Sequence, residues 1–342
     1  MKPNRILIIQ LRRIGDVIFT VPVIDLLRRA YPDSRIDFLV EKPGSMVVRG
    51  HPSVNDILVY EPDRPWHWIS CIRKRSYDLV VDFFGNPRSA ILTGLSTARI
   101  RAGYTYPIRQ WLYNHRVKRP VIRQSGIQTK LDMVRSLGIP TEYLAPRIYL
   151  SDNEKAQDRV YLQKLGVDGA PMIVGFAPVS RRETRRWIPE YYAQLAACIH
   201  RAYDALIMVF WGPGEEDVAR AIQMHAPYVI IPPLTTIREM AGLIGQCTVL
   251  VSNDNGPKHI AEALNVPTLT IYGPTDPISW ESGTVTQEYI RDEKLDCIGC
   301  NSNLCHKGLI CMRNVTPSMV MERFDRLVRN IVKVKTMHAG QV

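Results

Sequence analysis

The stretch that decides the fold is Thr248–Tyr272, TVLVSNDNGPKHIAEALNVPTLTIY. An apolar run ends in a polar turn, a helical pattern starts near Pro257, and a second apolar run begins at Thr268. Near-continuous apolar strands on either side of a helix are typical of a parallel sheet that is covered on both faces. The stretch therefore predicts one β-α-β unit of an open α/β sheet.

The same alternation extends along most of the chain. In the first half it predicts strands and one helical stretch that reaches about Ala30, the strands being Arg5–Gln10, Arg35–Val40 and Leu79–Phe83. In the second half it predicts five strands and four helices: strands Met172–Ala177, Ala205–Trp211, Tyr228–Ile231, Thr248–Ser252 and Thr268–Tyr272, and helices Pro189–Ala202, Glu215–Met224, Ile237–Gln246 and Pro257–Leu264. Two such series predict two doubly wound domains. They join near Ser151–Pro171, through a charged helix over Asp152–Leu165 and a linker, and the chain ends in a helix over Ser318–Lys333.

Composition and charge limit the classes of function. The 342 residues are 46% hydrophobic, enough to fill two cores, and the formal net charge is +11. Residues 1–165 hold 27 basic and 15 acidic residues, whereas residues 166–342 hold 17 and 18. A basic half favours phosphates, an anionic membrane surface or nucleic acid as partners. No helix-turn-helix or RNA-recognition pattern is visible, so nucleic acid is not expected. No apolar run approaches a signal peptide or the roughly 18 residues of a membrane span, so we expect a cytoplasmic location.

The first candidate site is the turn after the first strand, Arg13-Ile14-Gly15-Asp16. Ligands of open α/β sheets bind at the carboxyl ends of strands. Asp16 lies there at the start of a helix, and such a carboxylate can accept a proton from a substrate hydroxyl. Helix capping by Asp16 explains the pattern equally well. The turn has a single glycine, so the dinucleotide fingerprint is missing, which argues against a nicotinamide-dependent dehydrogenase.

The second candidate site is the polar turn within the opening stretch, Ser252–His259. The free N–H groups of the helix that starts there form an anion site. Asn255 and Gly256 would bring the backbone close to a phosphate, and Lys258 and His259 would add donors. The alternative is an ordinary strand-to-helix turn with a cap. We favour phosphate binding.

A loop rich in arginine, Ser180–Trp187, follows another predicted strand. Guanidinium groups match phosphate oxygens, although a solvated basic loop is the alternative. The sequence has no D-x-D, so a divalent cation held by paired carboxylates is not indicated.

Two further segments carry chemistry of their own. Trp66 and Trp68 lie among arginines and lysines, a mixture that suits a membrane interface, a phosphorylated amphiphile or nucleic acid; alternatively, one tryptophan belongs to the core. The other segment has four cysteines with spacing compatible with a structural zinc site, less readily an iron–sulfur site: Cys297, Cys300, Cys305 and Cys311. Reduced thiols or a local disulfide are the alternatives.

Taken together, these segments resemble glycosyltransferase family 9, the ADP-heptose:lipopolysaccharide heptosyltransferases. Three blocks carry the resemblance, and the cysteine segment adds to it: Arg5–Leu27, Arg185–Pro189 and Val251–Pro277. The resemblance runs from residue 5 to about residue 330. It implies a GT-B fold, in which two Rossmann-like, doubly wound parallel-sheet domains face a central cleft. Residues 1–165 would bind the acceptor and residues 166–317 the nucleotide sugar. Residues 318–342 would form a helix that packs back toward the N-terminal domain.

The resemblance also implies roles for individual residues. The family's catalytic base corresponds to Asp16, and its donor-site motif corresponds to Asp254, Gly256 and His259. Arg185 corresponds to the residue that contacts the diphosphate, and Ser180 and Glu215 correspond to residues near the phosphates and the ribose. Together with Asn255 and Lys258, these form the expected donor site. The acceptor would meet residues of the basic half, for which we select Arg12, Arg13, Trp66 and Trp68.

The expected function is therefore inverting, metal-independent transfer of heptose from ADP-heptose to the phosphorylated inner core of lipopolysaccharide. No cofactor is required, and the enzyme would lie peripherally on the inner face of the inner membrane. The family commonly has Lys at the position of Arg185, Thr at that of Asn255 and an apolar residue at that of Lys258. Another nucleotide sugar for a different surface polysaccharide is the alternative. A more remote alternative is a nucleic-acid-binding protein or a metal- or redox-sensing protein.

Overall fold

Each half of the chain forms its own parallel sheet in the computed structural model, which describes residues 2–120, 122–167, 169–283 and 287–339. The chain divides into two units, Met1–Tyr149 and Leu150–Val342. Within the described residues, none of the helices combines the length and the apolar character needed to span a bilayer.

The first unit contains a six-stranded sheet in the order β3-β2-β1-β4-β5-β6, with all neighbours parallel. Its strands are β1 (Arg5–Ile9), β2 (Arg35–Val40), β3 (Asp56–Val59), β4 (Leu79–Asp82), β5 (Ile100–Tyr104) and β6 (His115–Val117). Its helices are α1 (Ile14–Ile18), α2 (Val21–Ala30), α3 (Lys42–Val48), α4 (Pro65–Lys74), α5 (Pro87–Gly94) and α6 (Gly126–Ser136), with a 3₁₀ turn at Arg109–Leu112. The central strands are buried along nearly their whole length, as strands covered on both faces must be.

The second unit contains a five-stranded parallel sheet in the order β11-β10-β9-β7-β8. Its elements in chain order are α7 (Asp152–Lys164), β7 (Ile173–Ala177), α8 (Pro189–Tyr203), β8 (Leu206–Val209), α9 (Glu216–His225), α10 (Ile237–Gly245), β9 (Val249–Asn253), α11 (Gly256–Ala263), β10 (Thr268–Ile271), α12 (Pro277–Trp280), β11 (Gln287–Ile290), α13 (Ile310–Arg313) and α14 (Pro317–Ala339). The predicted class, an α/β fold with two doubly wound parallel sheets, is confirmed.

The helix before the predicted linker belongs to the second unit rather than to the first. α7 packs against α10, where the Arg238 guanidinium donates to Glu154 with an Nη2–Oε2 distance of 2.7 Å. This bond lowers the pKa of Glu154 to about 2. The division therefore falls between Tyr149 and Leu150, about fifteen residues before the predicted position, because tertiary packing assigns α7.

The C-terminal helix packs against α8 and β11 of its own unit. It buries Val320, Phe324 and Leu327, which are spaced i, i+4 and i+7 along one helical face. Its expected contact with the N-terminal domain stays a prediction.

One predicted strand, Tyr228–Ile231, is wrong. Only Ile230 forms a bridge, with Met208, through backbone bonds from Val209 N–H to Ile230 C=O and from Ile230 N–H to Ile207 C=O. Pro232 and Pro233 follow directly, and proline cannot donate to a ladder, so pairing stops after one bridge.

Candidate active site

The turn after β1 leaves Asp16 with a side chain that the fold does not use. The N-cap of α1 is Arg13, with no side-chain capping bond, and Asp16 is the third helical residue. Capping by Asp16 is therefore not the reason for its presence. The Asp16 carboxylate is half-buried, and within the described residues it has no hydrogen-bond or ion-pair partner. A carboxylate in this state is available to accept a proton.

A buried lysine lies close to Asp16. The ammonium of Lys130 on α6 donates to Gln10 Oε1 at 2.9 Å and lies 5.4 Å from the centre of the Phe83 ring. Burial lowers the pKa of Lys130 to about 8, although the Asp16 carboxylate opposes the shift. Lysine rarely stays buried without a function or a strong partner.

The sequence did not predict Lys130 as a site residue, because 114 positions separate it from Asp16. One signal was present: Lys130 lies on the apolar face of α6, between Ile127 and Leu131. A lone lysine in an apolar stripe marks a buried charge that needs an explanation.

The four predicted acceptor residues have different environments. Arg12 Nε donates to both Glu41 oxygens at 2.8 Å, and Arg13 is exposed. Trp66 is 79% exposed. Trp68 is only 7% exposed and packs against Tyr60 in the core, so it is not available to a ligand and is the core tryptophan of the pair.

The predicted donor residues gather at the carboxyl ends of β7 and β9, which are paired with Ala177 opposite Ser252. Asn255 joins the two turns that leave these strands. Its Nδ2 donates to the carbonyls of Ala177 and Val179, both at 2.8 Å, while its Oδ1 caps α11 by accepting from Lys258 N–H at 3.0 Å. The start of α11 is thus fixed beside the arginine loop.

A nearly buried ion pair links these turns. Arg185 Nη1 donates to Asp254 Oδ2 at 2.7 Å, with only 12% and 4% of the two side chains exposed. The Ser180 hydroxyl donates to the Asp254 carbonyl at 3.1 Å. Asp254 therefore fixes the position of Arg185, and a placed guanidinium beside a helix N-terminus suits a diphosphate.

Glu215 lies after β8, at the same edge of the sheet, and its carboxylate accepts from Gly212 N–H at 3.0 Å. One side-chain hydroxyl at this edge escaped the sequence analysis. Thr275, after β10, is 1% exposed, and its Oγ1 has no hydrogen-bond partner within the described residues.

Lys258 has a different position from the predicted one. It is fully buried, and its ammonium contacts Glu262 Oε1 at 2.7 Å, Glu281 Oε1 at 3.1 Å and the Trp280 carbonyl at 2.7 Å. The two carboxylates outweigh burial and raise the pKa of Lys258. Lys258 therefore neutralises a buried cluster and has no exposed surface with which to contact a phosphate.

Glu262 connects the Lys258 cluster to His259. Glu262 Oε2 lies 3.1 Å from His259 Nδ1, and Gln287 Nε2 donates to Glu262 Oε1 at 2.8 Å. Burial alone would raise the pKa of Glu262, but the charges of Lys258 and His259 outweigh it and lower that pKa. A carboxylate on Nδ1 orients the imidazole, as for functional histidines elsewhere.

The cysteine segment packs against the arginine loop. Arg182 Nη1 donates to Asn301 Oδ1 at 2.8 Å, Thr184 Oγ1 donates to the Ser302 carbonyl at 2.9 Å, and Asn301 N–H donates to the Pro274 carbonyl at 2.6 Å. The segment therefore supports the loop that carries Arg185.

The four cysteines are free thiols. Burial raises the pKa of the Cys311 thiol to about 11, and the other three cysteines add to the shift. Among the described residues, no three His, Cys, Asp or Glu side chains are arranged to hold a metal ion. The thiols as placed do not fit a zinc ion, and zinc binding stays a prediction.

The buried cluster makes a stability prediction. Lys258→Met should lower the free energy of unfolding by about 3–5 kcal/mol, because the fully buried Glu262 and the partly buried Glu281 would lose their shared counter-charge. Urea denaturation of the full chain measures this loss.

Lys294→Met is the matched control, since Lys294 is exposed in the same unit and its loss should stay within about 0.5 kcal/mol. The double variant Lys258→Met/Glu262→Gln should recover part of the loss. A loss in the Lys258→Met variant no larger than that of the control would contradict the assigned role.

Known proteins are similar to this chain in sequence and in fold. Residues 66–310 match the family model of glycosyltransferase family 9 (heptosyltransferase). Lipopolysaccharide heptosyltransferase 3 of Escherichia coli is 25% identical over 285 residues, 78% of this chain and 82% of that protein.

Two solved structures have similar folds. A glycosyl transferase family 9 protein from Veillonella parvula superposes with a TM-score of 0.82 at 19% identity, covering 96% of this chain and 97% of that one. The E. coli heptosyltransferase WaaC with ADP-2-deoxy-2-fluoro heptose superposes with a TM-score of 0.73 at 22% identity, covering 94% and 99%. Since the family model matches well over half of the chain, the chain belongs to glycosyltransferase family 9, the heptosyltransferase family.

Proposed function

We propose that this enzyme transfers heptose from ADP-heptose to the phosphorylated inner core of lipopolysaccharide, with inversion at the anomeric carbon. One observation carries the proposal. In the turns that follow β7 and β9, Asp254 fixes the Arg185 guanidinium beside the start of α11. The relatives support it, since one is a lipopolysaccharide heptosyltransferase and another binds an ADP-heptose analogue.

In the proposed reaction, Asp16 takes the proton of an acceptor hydroxyl. The hydroxyl oxygen forms a bond to the anomeric carbon on the face opposite the nucleotide, and the bond from that carbon to the diphosphate oxygen breaks. ADP leaves with the electron pair of that bond. Two observations support this role: the fold does not use the Asp16 carboxylate as a cap, and the buried Lys130 ammonium interacts with it.

The charge that develops on the leaving diphosphate would be met by Arg185, by the N–H groups that begin α11, and by His259. These groups supply the stabilisation for which other glycosyltransferases use a divalent cation. Together with the absence of D-x-D from the sequence, they support a reaction without a metal ion.

Another activated sugar is the second candidate. It is favoured by Arg185 and Asn255, which stand where the family commonly has Lys and Thr. A guanidinium contacts a diphosphate with a planar fork rather than as a point charge. The fold and the mechanism would be the same, and the nucleotide would differ.

The basic half supports a site of action on the inner face of the inner membrane, where an anionic surface and a phosphorylated, lipid-anchored acceptor would both attract it. Nucleic acid is not a proposed partner.

Asp16→Asn should reduce turnover about a hundred- to ten-thousand-fold, because the amide has the shape of the carboxylate but cannot accept the proton. The measurement is the rate of ADP release with ADP-heptose and heptose-deficient lipopolysaccharide.

Asp33→Asn, at an exposed turn of the same unit, should keep full turnover. The Asp16→Asn variant should bind ADP as the wild type does, since Asp16 lies outside the donor turns. Full turnover by a folded Asp16→Asn variant would show that another group is the base.

ADP should bind at least about tenfold more tightly than UDP or GDP, because a site built for one base leaves buried polar groups unpaired with another. Arg185→Met should weaken ADP binding about 10- to 100-fold through the lost charge-assisted bonds. Calorimetry at fixed salt concentration measures both effects.

Arg185→Lys should retain part of the affinity, and Arg181→Met, an exposed position in the same loop, should retain nearly all of it. Tighter binding of UDP or GDP would favour the second candidate. Equal loss in the Arg181 and Arg185 variants would contradict a specific diphosphate contact.

Lys130→Met should lower kcat/KM about two- to tenfold, because the first unit would lose a buried cation that interacts with Asp16. Lys42→Met, which removes an exposed ammonium from the same unit, should keep the wild-type kcat/KM.

The pH dependence of the free energy of unfolding provides a second test of the role of Lys130. The folded pKa of Lys130 is about 8 and its ordinary value is 10.5. Between these values the unfolded chain binds the additional proton, so the wild type should gain stability relative to Lys130→Met as pH rises through this range. A wild-type kcat/KM in the Lys130→Met variant, with this gain in stability present, would make Lys130 a buried charge without influence on the reaction.

A further inference from the structure

One face of the first sheet is covered by α4, α5 and the 3₁₀ turn Arg109–Leu112, and α5 contacts both of the others. The inner side chains of the helices fill the core below, among them Trp68, Ile72 and Leu92. The outer surface of this layer exposes large apolar side chains on all three elements and at the residue before the turn: Trp66, Ile91, Leu95, Ile108 and Trp111. Several large exposed apolar side chains on one layer are a typical mark of an interaction site.

The placement of these side chains follows the periodicity of their elements. On α5, Arg88, Ile91 and Leu95 are spaced i, i+3 and i+7, so they share the solvent face, where polar residues are usual. Ile108, directly before the 3₁₀ turn, is 85% exposed, and Trp111, within the turn, is 71% exposed.

The backbone at Ile108 is strained. Its φ is +68°, a left-handed conformation that is unfavourable for a β-branched residue. Strain of this kind is typical of binding and catalytic loops. It is a second sign that the exposure of Ile108 serves a function.

Residues 64–123, which include this layer and the neighbouring strands β4, β5 and β6, have a large excess of positive charge. They contain twelve Lys and Arg and two Asp, a net charge of +10 against +11 for the chain. Two of these cations are paired with carboxylates outside the segment, since Arg64 contacts Glu61 at 3.2 Å and Arg75 contacts Asp37 and Asp56 at 3.0 and 2.8 Å. The Arg116 guanidinium lies 4.6 Å above the Trp111 ring, so cation and exposed aromatic are adjacent.

We propose that this layer is the surface by which the enzyme docks on an anionic phospholipid bilayer. Isoleucine, leucine and tryptophan side chains would enter the boundary between headgroups and acyl chains, while Arg88, Arg109 and Arg116 contact lipid phosphates. A protein partner would explain the apolar side chains, but the excess of Lys and Arg over Asp and Glu in residues 64–123 complements an anionic lipid surface better.

This docking proposal rests on the proposed function in one respect: docking would bring the enzyme to a lipid-anchored acceptor at the membrane surface. Docking itself requires neither nucleotide nor acceptor. It is therefore tested separately from sugar transfer.

The test is sedimentation of the full chain with vesicles, without nucleotide. Vesicles that contain phosphatidylglycerol should bind the protein, and vesicles of phosphatidylcholine alone should bind it much more weakly. At about 1 M salt, where the Debye length is about 3 Å, binding should fall sharply. Ile108→Ser/Trp111→Ser should reduce partitioning into the anionic vesicles at least about tenfold, because both apolar anchors are lost.

Met224→Ser is the matched control, since Met224 is 78% exposed on α9 of the other unit, and it should bind vesicles as the wild type does. Both variants should have wild-type circular dichroism and wild-type affinity for ADP, so a fault in the donor site would show independently. Arg88→Gln/Arg116→Gln should weaken binding to the anionic vesicles and reduce its dependence on salt.

Three results would overturn the proposal. One is equal binding to anionic and neutral vesicles, and another is wild-type binding by the Ile108→Ser/Trp111→Ser variant. The third is a dimer that forms through this layer, detected by sedimentation velocity and lost in the same variant while vesicle binding is absent.

Discussion

The proposed donor site depends on one constraint, the parallel pairing of β7 with β9 together with the Asn255 side chain that joins the turns after them. Pairing alone brings two strand ends to neighbouring positions. Asn255 then fixes the geometry, because one amide donates to carbonyls after β7 while its oxygen caps α11 after β9. The Arg185–Asp254 ion pair forms across this junction. Had the two turns moved independently, the charges would have had to order them at a cost in conformational entropy.

Around this junction the fold divides its cations between surface and interior. Arg185 is nearly buried but lies at the sheet edge, where its charge can act on a ligand. Lys258, four residues after Asp254 in sequence, is turned inward and neutralises two carboxylates instead. Its contribution to the site is indirect, through Glu262 and the orientation of His259. The cysteine segment also contributes indirectly, since Asn301 and Ser302 accept hydrogen bonds from the arginine loop and support it.

The first unit also places charged groups both in its interior and on its surface. Its central turn leaves the Asp16 carboxylate unused by the fold, and α6 brings the buried Lys130 near it. Its outer layer on one face concentrates cations beside exposed apolar side chains. The N-terminal basic charge noted in the sequence is thus not spread over the unit, since residues 64–123 hold nearly all of it.

Local pattern was sufficient for the strands around Thr248–Tyr272, the α/β class and the candidate turns, because apolar runs, polar turns and helix starts are short-range features. It failed where the residues just beyond a segment, or contacts with distant segments, decide its structure. Tyr228–Ile231 has the apolar residues of a strand, but the prolines that follow stop its ladder after one bridge. α7 joined the second unit because of its contact with α10, and Lys130, far from Asp16 in sequence, became its neighbour only on folding. The sequence by itself thus determined most of the strands and helices and which polar residues lie at each turn. The tertiary structure decided which charges face solvent and which are buried, because burial depends on contacts between residues that sequence does not place together.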